Sequence, residues 1–368
     1  MGNFRVLSDA AVLDILLNLP RDGILQLRDR LVGALIELSE GAERDYQPDA
    51  SIVNRPEGMK CLFRPFSSAG AFGTKIVVTP APSSPAANSL HGIISICDQD
   101  GLPLGVINAE EVTGYRTALS AIVPYLWRSH TDNIVVFGAG KQALWHLRFA
   151  LSLRGDEIKT ITVVNRSAER AQQLISRLKE ENQARWKSTA NFEYLGSSSS
   201  EYEAQLQYRL AVADAIFCTV GTKSPVFPAH YVTNGRKERN PYISAVGSWQ
   251  ADMLEVDPDL LVQATSAAGG KLREQGSKVA VLVDDRESAL KHSGEIVQSK
   301  LAAEYIVEVG EIEVSRKRGE KLESLSTLED GLIIYKSIGV STTDLAIGTA
   351  ILDIAEKKGA GIDKKRIG

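Results

Sequence analysis

Residues Gly138-Ala139-Gly140-Lys141-Gln142-Ala143 have the types and the spacing to hold a phosphate. They follow the apolar run "NIVVF" and open a helix-length segment that ends near Arg154. In a G-x-G-x-x-A turn the first glycine permits the tight bend and the second lets backbone approach a pyrophosphate. A small third residue, here Ala143, allows close helix–strand packing. The anion would then rest on N–H groups at the start of the helix, around Lys141 and Gln142, favoured by the helix dipole. An apolar strand before the turn, a helix after it and a second strand, "TITVV", at the right distance make this a dinucleotide turn.

The tip of that second strand selects the dinucleotide. A carboxylate there bonds the ribose 2′-hydroxyl of NAD, and this chain has none: the residues are Asn165, Arg166 and Ser167. Asn165 suits the ribose edge, Arg166 can stack on adenine and pair with a 2′-phosphate, and Ser167 adds a hydroxyl. A guanidinium fits a doubly charged phosphate that a carboxylate would repel, so NADP(H) is favoured over NAD(H). Arg170, one turn further on, either assists or is solvated. Thr219 and Gly221 of "CTVGT" stand at the end of a later apolar run, the usual place to line the nicotinamide ribose.

The bulk properties narrow the alternatives. A chain of 368 residues, 43% hydrophobic and 24% charged, suits two globular domains. A net charge of −4 and no basic stripe with interleaved aromatics give no reason to expect nucleic acid. Three widely spaced cysteines in apolar settings (Cys61, Cys97, Cys218) read as buried and reduced, and five histidines without CxxC or HExxH give little support for a metal site. No apolar run reaches the roughly 18 residues of a membrane span. The N-terminus lacks a leader-like cleavage site, and Val6 spoils a myristoylation pattern, so the expected location is cytoplasmic.

The elements that must position these residues fall into two grammars. Two helices are expected first, capped by Ser8 and Asp22, the second burying Ile24, Leu27, Leu31, Ala34 and Leu38. A strand-rich region from Tyr46 to Thr113 follows, with "TKIVVTPA", "HGIISICD" and "PLGVINAEE" as runs and Asp98–Gly101 as a hairpin turn. From Asn133, strands alternate with helix-length segments, which predicts right-handed crossovers and a mostly parallel sheet. "SSSSE" reads as a strand-to-helix loop and "NGRKERN" as a solvated one. After Glu329 comes a strand or turn and then a final helix that packs back on the first domain. The expected fold is α/β: a Rossmann-type doubly wound sheet over residues 119–329. A second, α+β domain combines residues 1–118 with the returning segment 330–368.

Further motifs occur in order along the chain: "GTKIVV", "TGYRTALSAIV", "VGSWQADMLEVDPDLL", "VDDRESALKHSGEI", "EVGEI" and "YKSIGVSTTDLAIG". With the glycine turn they resemble the ornithine cyclodeaminase / mu-crystallin family from about Gln47 to Ile354. The resemblance implies a homodimer whose N-terminal strands and C-terminal helix form a substrate and dimerisation domain. It also implies hydride chemistry at a carbon bearing nitrogen. Lys75 then matches the family's substrate-domain lysine and Arg116 its carboxylate-binding arginine. Without the family, Lys75 is a charge at a strand edge and Arg116 an ion-pair residue at a helix start after Gly114. The roles are physically apt: a planar guanidinium holds a carboxylate by two parallel bonds, and a lysine beside an imine binds a carboxylate or relays a proton.

Departures from the family pattern sharpen the expectation. Where ornithine cyclodeaminases carry an Asp after the glycine of the "VG" strand, this chain has Trp249, which accepts no proton from an ammonium group. Cyclodeamination is disfavoured, and Trp249 becomes either a pocket wall or a packed aromatic. Ala50 stands where many members have an arginine; Arg64 either replaces that guanidinium from a neighbouring strand, marks a substrate with a different acid group or none, or is a surface arginine on an edge strand. The expected activity is NADPH-dependent reduction of a small ketimine next to a carboxylate, such as pyrroline- or piperideine-2-carboxylate. Lys75, water or Asp344 would supply the proton, although Asp344 equally reads as a helix cap. An amino-acid dehydrogenase or reductive aminase is the near alternative, and a non-catalytic NADPH-dependent binding protein the distant one.

Overall fold

The computed structural model describes residues 4–85, 91–198, 200–234, 239–248, 250–272, 281–319 and 325–364. The chain forms two compact units, one of Met1–Arg116 with Gly339–Gly368 and one of Thr117–Ile338. The expected return at residue 330 comes later, because Ile333–Lys336 is a strand paired on both sides within the second unit.

The first unit opens with β1 (Phe4–Leu7), α1 (Asp9–Leu17) and α2 (Arg21–Ser39). Ser8 caps α1 by accepting the Ala11 N–H at 3.3 Å. Asp22 does not cap α2; Pro20 occupies that place with no side-chain bond, and Leu35 rather than Ala34 completes the buried stripe. Then come β2 (Ser51–Asn54), β3 (Lys60–Ser67), β4 (Ala71–Thr79), β5 (His91–Asp98) and β6 (Pro103–Asn108). The Asp98 carboxylate closes the β5–β6 turn by accepting the N–H groups of Asp100 and Leu102, with Gly101 at φ +84°. Residues from Ala109 leave the strand to start α3 (Ala109–Tyr125), which runs through Gly114 and carries Arg116 in its middle rather than at its start.

The second unit alternates regularly: β7 (Asn133–Phe137), α4 (Lys141–Arg154), β8 (Thr160–Val164), α5 (Ala168–Glu181), β9 (Asn191–Leu195), α6 (Tyr202–Val212), β10 (Ala215–Cys218), α7 (His230–Thr233) and β11 (Tyr242–Ala245). It continues with α8 (Pro258–Leu272), β12 (Val281–Val283), α9 (Arg286–His292), α10 (Gly294–Ser299), β13 (Ile306–Glu308), α11 (Val309–Lys317), α12 (Leu325–Asp330) and β14 (Ile333–Lys336). The chain then re-enters the first unit with α13 (Ser341–Lys358) and β15 (Ile362–Lys364).

The first unit's sheet has the order β15-β1-β6-β5-β4-β3-β2. Its β2–β6 meander is antiparallel, so side chains alternate between faces. Lys75, Val77, Ile94, Ile96 and Ile107 are buried on the face that α13 covers, whereas Phe63, Phe72 and Ile93 are exposed on the other. The second unit's sheet has the order β13-β12-β14-β11-β10-β7-β8-β9, and its pairs are parallel. The chain moves outward from β7 through β8 to β9, then crosses to β10 on the other side of β7. The β7/β10 junction is therefore the topological switch point, outside whose carboxyl ends such sheets bind ligands.

Cys218 is buried, but Cys61 and Cys97 are only half-buried; all three are free thiols. Among the described residues no helix is long and apolar enough to cross a membrane, and no cluster of His, Cys, Asp and Glu could hold a metal ion.

Candidate functional site

Four of the residues singled out from the sequence converge in the first unit. Arg64 on β3 and Lys75 on β4 are direct cross-strand partners. Lys75 donates from Nζ to Asp344 Oδ2 at 2.7 Å, and Arg116 donates from Nε to Asp344 Oδ1 at 3.1 Å. Arg64 donates from Nη1 to the Gly339 carbonyl at 2.7 Å. Gly339, at φ +84°, is where α13 is entered; a Cβ there would stand 3.0 Å from Arg116 Nη1 and 3.5 Å from Arg64 Nη1. Only glycine gives both the left-handed backbone and the room for two guanidinium groups.

Asp344 is not a cap. Val340 holds the N-cap position of α13, and the Asp344 carboxylate, wholly buried, faces Lys75 and Arg116 instead. Burial alone would raise its pKa, but the charges of Arg116 and Lys75 outweigh burial and hold it below the ordinary carboxylate value. It therefore stays ionised at neutral pH and is no proton donor. Lys75 behaves oppositely: burial, reinforced by Arg116 and Arg64, outweighs the attraction of Asp344 and brings its pKa down to about 7. A lysine in that range can both give and take a proton at neutral pH.

The G-x-G-x-x-A turn lies in the second unit at the β7/β10 junction. Gly138 is buried at φ +107°, donates its N–H to Val164 O at 2.9 Å, and a Cβ on it would lie 2.7 Å from Thr219 Oγ1. Gly140 is the N-cap of α4 with no side-chain cap, and a Cβ there would meet nothing within 4 Å. Open space in front of an uncapped helix start fits a pyrophosphate, with Lys141 and Gln142 as the first helical residues. At the tip of β8, Asn165 turns its amide onto Ser167 O at 2.8 Å. Ser167 caps α5 by accepting the Arg170 N–H at 3.3 Å, so its hydroxyl already has a structural duty. Arg166 and Arg170 are both exposed. Thr219 donates its hydroxyl to Phe137 O at 2.7 Å, and Gly221 is exposed just beyond it. Trp249 lies outside the described residues.

A second buried charged cluster escaped the sequence reading. Lys336, Ser248, Glu255 and Glu295 are each at most 1% exposed and linked by hydrogen bonds. Burial raises the Glu255 pKa to about 7 even though Lys336 and backbone N–H groups draw it down. A lone lysine closing the apolar run "LIIYK" was the available signal.

The profile of the ornithine cyclodeaminase/mu-crystallin family matches residues 24–359. The chain is 25% identical to the ketimine reductase mu-crystallin of Mus musculus over 331 residues, 88% of this chain and 90% of that protein. It is also 25% identical to a delta(1)-pyrroline-2-carboxylate reductase of Colwellia psychrerythraea over 260 residues, 69% and 70% of the two chains. Among solved structures, the iminosuccinate reductase of Paracoccus denitrificans in complex with NAD+ superposes with a TM-score of 0.74, at 17% identity and 99% coverage of both chains. Because that profile covers nearly the whole chain, the chain belongs to the ornithine cyclodeaminase/mu-crystallin family.

Proposed function

We propose that this protein reduces the C=N bond of a small ketimine whose carbon bears a carboxylate, using NADPH. The observation that carries the reading is the convergence in the first unit of Arg64, Lys75 and Arg116 about the buried carboxylate of Asp344. Two guanidinium groups and a lysine brought together in a buried setting suit an incoming carboxylate, which each can meet with a charge-assisted hydrogen bond. Arg116 and Arg64 are assigned to the substrate carboxylate, and Lys75 to the proton that the imine nitrogen needs. Asp344 acts as a positioning residue that fixes the Lys75 ammonium and the plane of the Arg116 guanidinium. Bound NADPH would supply the hydride from nicotinamide C4. The names of related proteins, which reduce ketimines and pyrroline-2-carboxylate, support the same class of chemistry.

Cofactor binding is assigned to the open space at Gly140. Because a Cβ there meets no neighbour, Gly140→Val should leave the melting temperature within about 2 °C of wild type. The isopropyl group would occupy the pyrophosphate position, and NADPH affinity by fluorescence titration should fall by about a hundredfold or more. Retained affinity would remove the pyrophosphate from this turn.

The preference for NADPH is assigned to Arg166. Removing one charge-assisted pair with a 2′-phosphate weakens binding by about tenfold to a hundredfold. Arg166→Ala should therefore raise the Kd for NADPH by that factor and leave the Kd for NADH unchanged. Equal losses for both nucleotides would assign Arg166 to adenine stacking alone.

We further infer a homodimer built on the outer face of the first unit's sheet. Phe63 pairs in register with Ile76, and Ile76 with Ile93, so three apolar side chains form one row across β3, β4 and β5. Phe63 is 37% exposed and Ile93 43%, which is unusual for a sheet face left to water. Sedimentation should give a dimer for wild type and a monomer for the double variant Phe63→Asp, Ile93→Asp. A wild-type monomer would refute the assignment.

A further inference from the structure

The Lys336–Ser248–Glu295–Glu255 cluster has no part in holding the pyrophosphate or the substrate carboxylate. Lys336 is the last residue of β14; its Nζ donates to the Ser248 carbonyl at 2.5 Å and to the Ser248 hydroxyl, with the Glu295 carboxylate 3.6 Å away. The Ser248 hydroxyl donates to Glu295, which also accepts the Glu255 N–H at 2.8 Å. Glu255 in turn accepts three backbone N–H groups: Val220 at 2.6 Å, Gly247 at 2.6 Å and Ser248 at 3.0 Å.

Those three donors belong to two different loops. Val220 follows β10, and Gly247 and Ser248 follow β11. The loops meet backbone to backbone: a Cβ on Gly247 would stand 2.5 Å from Glu255 Oε1 and 2.7 Å from Val220 N. Thr219, next to Val220, bears on Gly138 of the dinucleotide turn. One carboxylate thus ties together the carboxyl ends of β10 and β11, beside the switch point. Two buried carboxylates and a buried ammonium are retained at a desolvation cost, which an apolar packing would avoid. What they achieve, and apolar side chains could not, is to fix the direction of three backbone N–H groups in loops that carry no helix or strand bonds of their own.

We propose that Glu255, held by Lys336, Ser248 and Glu295, is a positioning residue for the nicotinamide half of the cofactor: it sets the loops after β10 and β11 on which that half docks. The proposal rests on the NADPH reading above. The Glu255 side chain acts through the loops and touches no reacting atom.

The test compares two ligands on the same protein: NADPH and 2′-phosphoadenosine diphosphoribose, which is NADPH without its nicotinamide. Glu255→Gln keeps the shape but turns an N–H donor toward backbone donors, so it cannot satisfy all three. It should raise the Kd for NADPH by about tenfold and leave the Kd for the truncated ligand unchanged. Ser248→Ala, which loses only a hydroxyl, should move the same ratio in the same direction by a smaller factor, and it serves if Glu255→Gln does not fold. Equal weakening of both ligands would make the cluster a general stabiliser, and unchanged NADPH binding would remove any role in docking; either overturns the proposal. If wild type binds the truncated ligand and NADPH equally, the nicotinamide half has no docking loop and the proposal fails while the dinucleotide site stands. If wild type binds neither, the NADPH reading fails and takes the proposal with it.

Discussion

Arg116→Ala should lower kcat/KM for a carboxylated ketimine by about a thousandfold. The estimate combines one bidentate charge-assisted contact, worth about 1.5–3 kcal/mol, with the loss of orientation that such a contact enforces. The fold should survive, because the Asp344 carboxylate keeps the Lys75 ammonium as its partner at 2.7 Å. The diagnostic control is an imine without a carboxylate, whose slower reduction should be nearly indifferent to Arg116→Ala. Arg116→Lys should restore charge but not the planar fork, and so recover only part of the rate. If both substrates lose activity equally, Arg116 serves the structure of the unit and not the substrate acid.

The largest stability effect belongs to Asp344→Asn. The carboxylate is wholly buried and faces two cations, one of them 3% exposed. Breaking such a pair by removing one partner typically destabilises by about 3–5 kcal/mol, because it leaves buried charge uncompensated. The loss should depend on pH, with a sign set by Lys75. Its folded pKa, about 7, lies below the ordinary lysine value, so stability rises with pH between about 7 and that value, where the unfolded chain binds the extra proton. Without Asp344 the Lys75 pKa falls further. The variant then forfeits the ammonium's pairing between its new pKa and 7, where wild type still carries it. The deficit in urea unfolding free energy should accordingly widen as pH falls from 9 to 6. A deficit independent of pH would mean that Lys75 and Asp344 are not electrostatically coupled.

The parallel sheet was legible because strands buried on both faces read as continuous apolar runs, and "NIVVF", "TITVV" and "AIFC" became β7, β8 and β10. β1 and β15 were not, since "FRVL" and "IDK" are too short to show a period and gain their order from sheet pairing, β15 on β1 and β1 on β6. Gly114 read as a break, yet α3 passes through it: a glycine costs a helix about 1 kcal/mol, which packing readily offsets. That misplacement moved Arg116 from a helix start to a helix middle without changing its partners. Lys75 and Arg116 drew attention only through neighbouring motifs, and the pairing of Arg64 with Lys75 follows from a strand register that no single run reveals. Glu255 and Lys336 lie 81 positions apart and meet only because β11 and β14 are neighbours in the sheet. Charged residues at the ends of apolar strands look solvated until the fold buries them.

The most direct test of the central claim is NADPH oxidation, followed by absorbance, with pyrroline-2-carboxylate and piperideine-2-carboxylate in the absence of any added amine. The account predicts turnover that falls as pH rises through about 7, where Lys75 loses its proton. Turnover only when a keto acid and an amine are supplied together would make the protein a reductive aminase. Tight NADPH binding with no oxidation in either assay would contradict imine reduction.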